Sequence, residues 1–380
     1  MRILVDQAIA NATELFSPYG DVVRAPHITA KLMQDADVAI VRSVTRVNRE
    51  LLSQTKNLRF VGSPTAGVNH LDVKELKRRG IYWAAAPGSN ATAVADYVLS
   101  SLVIAKLLIP ICKGEKNLGL IGGGHAARHI AARISACSKL VGQAIVVYCY
   151  DPFIEAKQMP SAGLKPVDLA RLLTCDCISL HCSLTPESYH LLDAEVLSQL
   201  KSDCLLINTA RGEVIEPIAL GQYVSEGRKL VMDVWNNEPQ PDPTLMTASL
   251  IATPHIAGYS RTGKQLALIS VFNAFQRFQG IEGKQCSLAV EPQKFYLAPQ
   301  PQEKEDPLDY ICRLLLLNYD PIRDSIMTKQ ITKLQEDKAR AAAFTGLRRN
   351  YCLRGEACEW QLAHLPSSYR QLAAAILGQK

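Results

Sequence analysis

The chain has 380 residues, 48% of them hydrophobic and 21% charged, with a formal net charge of +6. That length exceeds what one hydrophobic core usually serves, so two or three domains are expected, and that apolar fraction excludes disorder for most of the chain. The basic residues form no stripe, so nucleic acid is not an expected partner, whereas a mild positive field suits small anionic molecules.

The start, Met1-Arg2-Ile3-Leu4-Val5-Asp6, has no cationic stretch leading into a long apolar run, and no run of about 18 apolar residues follows elsewhere. Neither secretion nor a membrane partner is expected. The eleven cysteines are scattered, and Cys175-Asp176-Cys177 has the wrong spacing for a CxxC redox pair or a zinc knuckle. A reducing, cytoplasmic location and no bound metal follow as the simplest expectation.

Along the first quarter, short apolar runs at Ile3-Leu4-Val5, Val38-Ala39-Ile40-Val41, Phe60-Val61-Gly62 and Ile81-Tyr82-Trp83-Ala84 alternate with amphipathic stretches such as 71–79. That alternation predicts a parallel sheet with helices on its faces. After Ala86-Pro87-Gly88-Ser89-Asn90, residues 92–109 read as one apolar helix bridging two domains.

A second alternating series then starts. Leu118-Gly119-Leu120-Ile121 reads as a strand, Gly122-Gly123-Gly124-His125-Ala126-Ala127 as a turn, 128–138 as a helix with Ile130 and Ile134 on one face, and 144–150 as the next strand, closed by Asp151. Strand, glycine turn, helix, strand and acid is the order of a dinucleotide-binding unit. Gly122 permits the tight turn, Gly124 admits backbone amides to a pyrophosphate, and the helix N-terminus supplies partial positive charge. Asp151 lies 29 positions beyond Gly122, where about 20 is usual, which points to an insertion over 135–143, read as a loop. An acid there would repel a 2′-phosphate and favour NAD over NADP.

Further strands are predicted at Cys177-Ile178-Ser179-Leu180, Cys204-Leu205-Leu206-Ile207, Leu230-Val231-Met232 and Leu250-Ile251-Ala252. Three of them run into Asn208-Thr209-Ala210-Arg211-Gly212, Asp233-Val234-Trp235-Asn236-Asn237-Glu238-Pro239 and Thr253-Pro254-His255-Ile256-Ala257-Gly258-Tyr259. Ligands bind beyond the carboxyl ends of such strands. An arginine there can clamp a carboxylate through two parallel hydrogen bonds, a histidine can exchange a proton near neutral pH, and a glutamate can orient its second ring nitrogen. Each residue alone is more often a solvated charge or a loop histidine; the ordered set of three is the kit for oxidising a 2-hydroxy acid. Asp233 either accepts from a nicotinamide carboxamide or simply ends its strand.

Downstream, 262–278 reads as a helix with Leu266, Ile269, Phe272 and Phe275 as a core stripe, 291–307 as a linker, and the tail carries apolar helices near 311–317 and 371–377. The tail is small for an independent domain.

These motifs resemble the D-2-hydroxy-acid dehydrogenase family, in which the arginine of NxxRG, the glutamate of DVxxxEP and the histidine of TPHIAG are the catalytic trio, here Arg211, Glu238 and His255. Val41-Arg42-Ser43-Val44-Thr45, Ala86-Pro87-Gly88-Ser89-Asn90-Ala91, Pro254 through Ser260, Gly263-Lys264, Tyr319-Asp320, Arg323-Asp324, Leu347-Arg348-Arg349-Asn350-Tyr351, Arg354 and Glu356 are similar to its erythronate-4-phosphate dehydrogenase branch. The resemblance implies an α/β enzyme with two doubly wound parallel-sheet, Rossmann-like domains and a small C-terminal α/β dimerisation domain. The implied boundaries are 1–93 with 257–282 for substrate, 94–256 for NAD, and 283–380 for homodimerisation. It implies oxidation of a small phosphorylated 2-hydroxy acid at C2, with cofactor contacts at Gly122, Gly124, Asp151, Cys182, Thr209, Ala210, Arg211, Asp233 and Gly258, and substrate contacts at Ser43, Thr65 and Tyr259. The chain departs from the branch at Gln7, Ala10, Asn69, Arg261-Thr262, and Cys182-Ser183, where Thr-Pro is usual. Two alternatives remain open: a related dehydrogenase acting on a substrate such as 3-phosphoglycerate, and a non-catalytic NAD-binding scaffold.

Overall fold

The computed structural model describes residues 1–154, 163–281 and 296–379. The chain divides into two compact units, Met1–Asn90 with Arg261–Gln293, and Ala91–Ser260 with Lys294–Lys380. The first holds a five-stranded parallel sheet of β1 (Arg2–Asp6), β2 (Asp21–Ala25), β3 (Val38–Ile40), β4 (Phe60–Gly62) and β5 (Tyr82–Ala84), in the order β2-β1-β3-β4-β5. β2 was not among the predicted strands. It is an edge strand, mostly open to solvent and interrupted by Asp21 and Arg24, so its apolar signal is weak.

One face of this sheet packs Ile3, Val5, Ile40 and Phe60 against Val271, Phe272 and Phe275 of the helix Arg261–Phe278. Each fully buried side chain of that kind stabilises the fold by roughly 1.5–3 kcal/mol. The predicted stripe is rotated slightly: Leu266 is 47% exposed, and Leu268 and Val271 take buried positions instead.

The second unit contains a seven-stranded parallel sheet of β6 (Leu118–Ile121), β7 (Val147–Tyr150), β8 (Leu164–Pro166), β9 (Cys177–Leu180), β10 (Leu205–Asn208), β11 (Leu230–Met232) and β12 (Ile251–Ala252). Its order is β12-β11-β10-β9-β6-β7-β8. The order reverses between β6 and β9, which opens a crevice at their carboxyl ends.

Two predicted helices differ in extent. The expected single helix over 92–109 is two, Ala91–Ile104 and Leu108–Cys112, because Lys106 adopts φ 59° between them and ends the first. The glycine-turn helix is longer than expected, running His125–Leu140. Cys137 and Ser138 continue the buried face of Ile130 and Ile134, so much of the insertion before Asp151 is helix rather than loop.

The described residues of the tail are helical rather than α/β: Pro307–Asn318, Pro321–Gln330, Asp337–Arg349 and Ser367–Leu377, with only the isolated bridges Ser260↔Arg354 and Leu297↔Gln361. Leu308, Ile311, Leu314, Leu372 and Ile376 share one core with Tyr97, Leu120, Ile130 and Ile207. The tail therefore buries its apolar faces within the unit that holds the seven-stranded sheet. The helix Pro321–Gln330 lies beside β12, and Ser325 Oγ accepts a hydrogen bond from the Ala252 amide at 3.0 Å. Of the predicted linker, residues 291–295 lie outside the described residues, and its end is set by Asp306, which caps the helix Pro307–Asn318 by accepting from the Leu308 amide at 2.8 Å. Among the described residues no helix is long and apolar enough to cross a membrane, and no cluster of three potential metal ligands occurs.

Candidate active site

β6 is followed by Gly122 at φ 95°, and a Cβ there would lie 2.6 Å from the Cys182 amide nitrogen. Glycine is thus required by both conformation and the close approach of the loop after β9. Gly124 is different. A Cβ at Gly124 would meet nothing within 4 Å, although this residue caps the 16-residue helix His125–Leu140 without a side-chain hydrogen bond. The space is open and the first helical amides face it, which is the construction that receives a pyrophosphate.

Asp151 accepts from the Gly123 amide at 2.8 Å through Oδ2 and from the Phe153 amide at 2.9 Å through Oδ1. The longer helix has not displaced it: the acid is tied to the glycine turn itself. Each oxygen retains acceptor capacity for a ribose hydroxyl.

Thr209 Oγ1 donates to the Leu180 carbonyl at 3.2 Å and meets His181 Nδ1 at 3.1 Å. The hydroxyl proton being committed, Nδ1 is the donor in that contact, which leaves His181 Nε2 as a lone-pair acceptor. Nε2 is buried and has no partner among the described residues. Burial pushes the imidazole down to about 3, so it stays neutral. An orphaned acceptor, an uncapped glycine-lined helix start and an anchored acid all fit a dinucleotide. Burial likewise pushes the Cys182 thiol up to about 11, so it is no thiolate nucleophile.

The turn after β10 is held by Asn208, whose amide donates to the Arg211 carbonyl at 2.9 Å and whose Oδ1 accepts from the Ala210 amide at 3.0 Å. Arg211 Nη1 bonds the Ala210 carbonyl at 2.6 Å. Burial weakens its hold on the proton, while Glu238 and Glu213 counter that effect. The group remains a cation.

Glu238 and His255 meet: Nδ1 lies 2.8 Å from Oε2 and 3.0 Å from Oε1. A carboxylate only accepts, so Nδ1 carries the proton and Nε2 is the basic nitrogen. Burial pushes the Glu238 carboxyl up, but the His255 charge and hydrogen bond, the Arg348 cation and the Trp235 amide hold it below the usual carboxylate range. His255 itself sits at φ 60°, a left-handed conformation costing roughly 1–3 kcal/mol for a residue with a side chain.

What offsets that strain is Asp233. Its carboxylate accepts from Thr253 Oγ1 at 2.7 Å and from the Ile256 and Ala257 amides at 2.7 and 2.9 Å, and it is 1% exposed. Asp233 thus anchors the turn that carries His255. From the other side, Arg354 donates to the carbonyls of Ile256 and Ala257 and stacks on Tyr319, with 3.9 Å from its central carbon to the ring centroid. Gly258 and Tyr259 complete the turn, and Tyr259 packs edge-on against Tyr351 at 6.0 Å between centroids.

The second unit therefore brings Gly122, Gly124, Asp151, Cys182, Thr209, Ala210, Arg211, Asp233, Glu238, His255, Gly258 and Tyr259 to the carboxyl edge of its sheet. Ser43 and Thr65 belong to the first unit. Ser43 is exposed on the loop after β3, and Thr65 follows β4 with its hydroxyl donating to the Gly67 carbonyl at 2.9 Å. Sequence reasoning missed His181, whose position directly after β9 was a usable signal, and the contacts of Arg348 and Arg354 with this edge, which no local pattern announces.

Residues 112–257 match the D-isomer specific 2-hydroxyacid dehydrogenase, NAD binding domain. The chain is 37% identical over 370 residues to the erythronate-4-phosphate dehydrogenase of Pseudomonas fluorescens (strain Pf-5), covering 94% of this chain and 93% of that one. It is 40% identical over 283 residues to the enzyme of the same name from Tolumonas auensis, covering 72% and 74%. The fold is similar to that of D-lactate dehydrogenase from Aquifex aeolicus, solved with NAD and lactic acid, at a TM-score of 0.60 and 20% identity, over 74% of this chain and 96% of that one. The chain thus belongs to the erythronate-4-phosphate dehydrogenase family, within the D-isomer specific 2-hydroxyacid dehydrogenases, which are oxidoreductases with NAD as cofactor.

Proposed function

We propose that this protein oxidises 4-phospho-D-erythronate at C2 to the 2-oxo acid, a step on the route to pyridoxal 5′-phosphate. The observation that carries this reading is the 2.8 Å contact between His255 and Glu238 on the same sheet edge as the Arg211 guanidinium. Arg211 holds the substrate carboxylate through two parallel hydrogen bonds. His255 Nε2 removes the C2 hydroxyl proton, and Glu238 stabilises the imidazolium that forms. NAD, when bound, supplies the acceptor for the hydride from C2. Gly122, Gly124, Asp151, Cys182, the Thr209–Arg211 turn, Asp233 and Gly258 would hold it, with His181 beside them, and Asp233 also fixes the turn that carries His255.

In this reading Ser43, Thr65 and Tyr259 contact the substrate. Residues 1–93 with 257–282 serve the substrate, 94–256 serve NAD, and 283–380 pair two copies in a cytoplasmic homodimer. Following NADH absorbance with 4-phosphoerythronate, 3-phosphoglycerate and their unphosphorylated analogues tests the assignment. The first should be turned over with the highest kcat/KM. Faster turnover of 3-phosphoglycerate would reassign the substrate, and NAD binding without turnover of any 2-hydroxy acid would leave a scaffold.

A further inference from the structure

Arg348 was singled out in the sequence by resemblance alone, and the mechanism above does not use it. It sits in the last turn of the helix Asp337–Arg349. Phe344 of that helix is fully buried, and Ala343 and Leu347 pack beside it against the core that contains Leu206, Met232 and Trp235. With residues 344, 347 and 348 on one helical face, seating Phe344 and Leu347 aims Arg348 at the same surface. Its Nη1 donates to Glu238 Oε2 at 3.2 Å, across 110 positions of sequence. That oxygen is the one 2.8 Å from His255 Nδ1.

We propose that Arg348 is a positioning residue for the Glu238–His255 pair: it fixes the carboxylate that orients the imidazole, so that the C-terminal segment sets the geometry of proton transfer. Glu238 is held from three directions. The Trp235 amide donates to Oε1 at 3.0 Å, His255 reaches both oxygens, and Arg348 closes Oε2. Only 23% of the Arg348 side chain and 19% of the Glu238 side chain are exposed, so this pair is more than a solvated surface contact, for which a negligible effect would be expected. Shared between a fixed cation and the imidazole, the carboxylate stays ionised in one rotamer yet does not give its full charge to the imidazolium.

The charged groups facing this pair are Arg211 after β10, with Glu213 beside it, Arg348 from the tail, and Asp233 beneath the His255 turn, already bonded to Thr253, Ile256 and Ala257. Removing Arg348 withdraws a cation and frees the carboxylate for His255. The imidazolium gains, so His255 loses its proton at higher pH and oxidation begins later on the acid side.

The inference rests on His255 acting as the base, and its test reads that residue directly. In the full-length chain, Arg348→Met should raise the midpoint of the His255 titration, followed by NMR without substrate, by roughly half to one pH unit. It should lower kcat roughly tenfold with KM changed less than about twofold, as expected for a misaligned catalytic group. Arg348→Lys should restore the titration midpoint, because the charge returns, but only part of kcat. Should Arg348→Met lower the melting temperature sharply, Arg348→Gln, which keeps a donor without the charge, carries the same prediction for the midpoint. An unchanged His255 midpoint and kcat in a folded Arg348→Met protein would overturn the proposal. Absence of 4-phosphoerythronate turnover in the wild type, with the midpoint still moving, would instead remove the substrate assignment and keep Arg348.

Discussion

The turn after β6 and the turn after β12 lie on one sheet edge, yet they are held by different means. The glycine turn is held through its backbone, by amides, an open helix start and one acid, Asp151, that accepts from the Gly123 amide across 28 positions. The His255 turn is a strained loop pinned by side chains, Asp233 and Glu238 from the preceding loop and Arg354 and, through Glu238, Arg348 from the tail. Recognition of a constant cofactor needs backbone geometry, which strand ends within one sheet specify through their main chains. Placing a base to within a fraction of an ångström needs over-determination, which a short segment cannot supply.

The largest expected effect breaks this comparison if it fails. His255→Ala should lower the single-turnover rate of hydride transfer by roughly 100-fold or more, within the general-base range of about 10² to 10⁴, while leaving NAD affinity almost unchanged. A wild-type rate would mean that the turn is braced for some other purpose.

The two glycines sharpen the other side. Gly122→Ala would drive a Cβ to 2.6 Å from the Cys182 amide at a positive φ and should destabilise the protein by roughly 1–3 kcal/mol, read by denaturant melts. Gly124→Ala meets open space, so stability should stay within about 0.5 kcal/mol while NAD affinity, read by calorimetric titration, falls roughly tenfold. Equal losses of stability in both would show that the open space is packing, not a cradle.

The smallest effect concerns how the tail is fastened to the His255 turn. Ser260 Oγ donates to Glu356 Oε1 at 2.7 Å, and burial, with Asp96 and Glu359 nearby, pushes this carboxyl up to about 7. The folded state therefore keeps a proton that the unfolded chain releases near 4.5. Stability from this group is complete below about 4.5 and is lost as pH rises through about 7, on the order of 1–3 kcal/mol. Glu356→Gln should flatten the difference between denaturant melts at pH 5 and pH 8. An undiminished difference would place that pH dependence in other groups.

Most strands and the candidate trio were legible because each strand is a short apolar run and each candidate stands just beyond one. β2 was not, since Asp21 and Arg24 leave an edge strand with little periodic signal, and β8 is three residues including Lys165 and Pro166. The break at Lys106 was hidden inside a continuous apolar stretch, where no glycine or proline marks the left-handed residue. The insertion before Asp151 was inferred from spacing alone, which fixes the number of extra residues but not their conformation, and Ser138 is buried on the helix that they extend. Arg348 and Arg354 were marked only by resemblance, which gave them no contact: their partners lie 110 and about 98 positions away, and only the folded chain brings them together.

The borders of the seven-stranded sheet carry one more consequence. A sheet margin with free amides can recruit a strand from another chain and seed aggregates. Here β8 closes one margin with only three residues and a proline that has no N–H to offer, while at β12 the Ala252 amide is already taken by Ser325 of the tail. Losing that cover would free the Ala252 amide to pair with a strand of another chain, so clumping, rather than simple loss of turnover, would be the first sign of damage there.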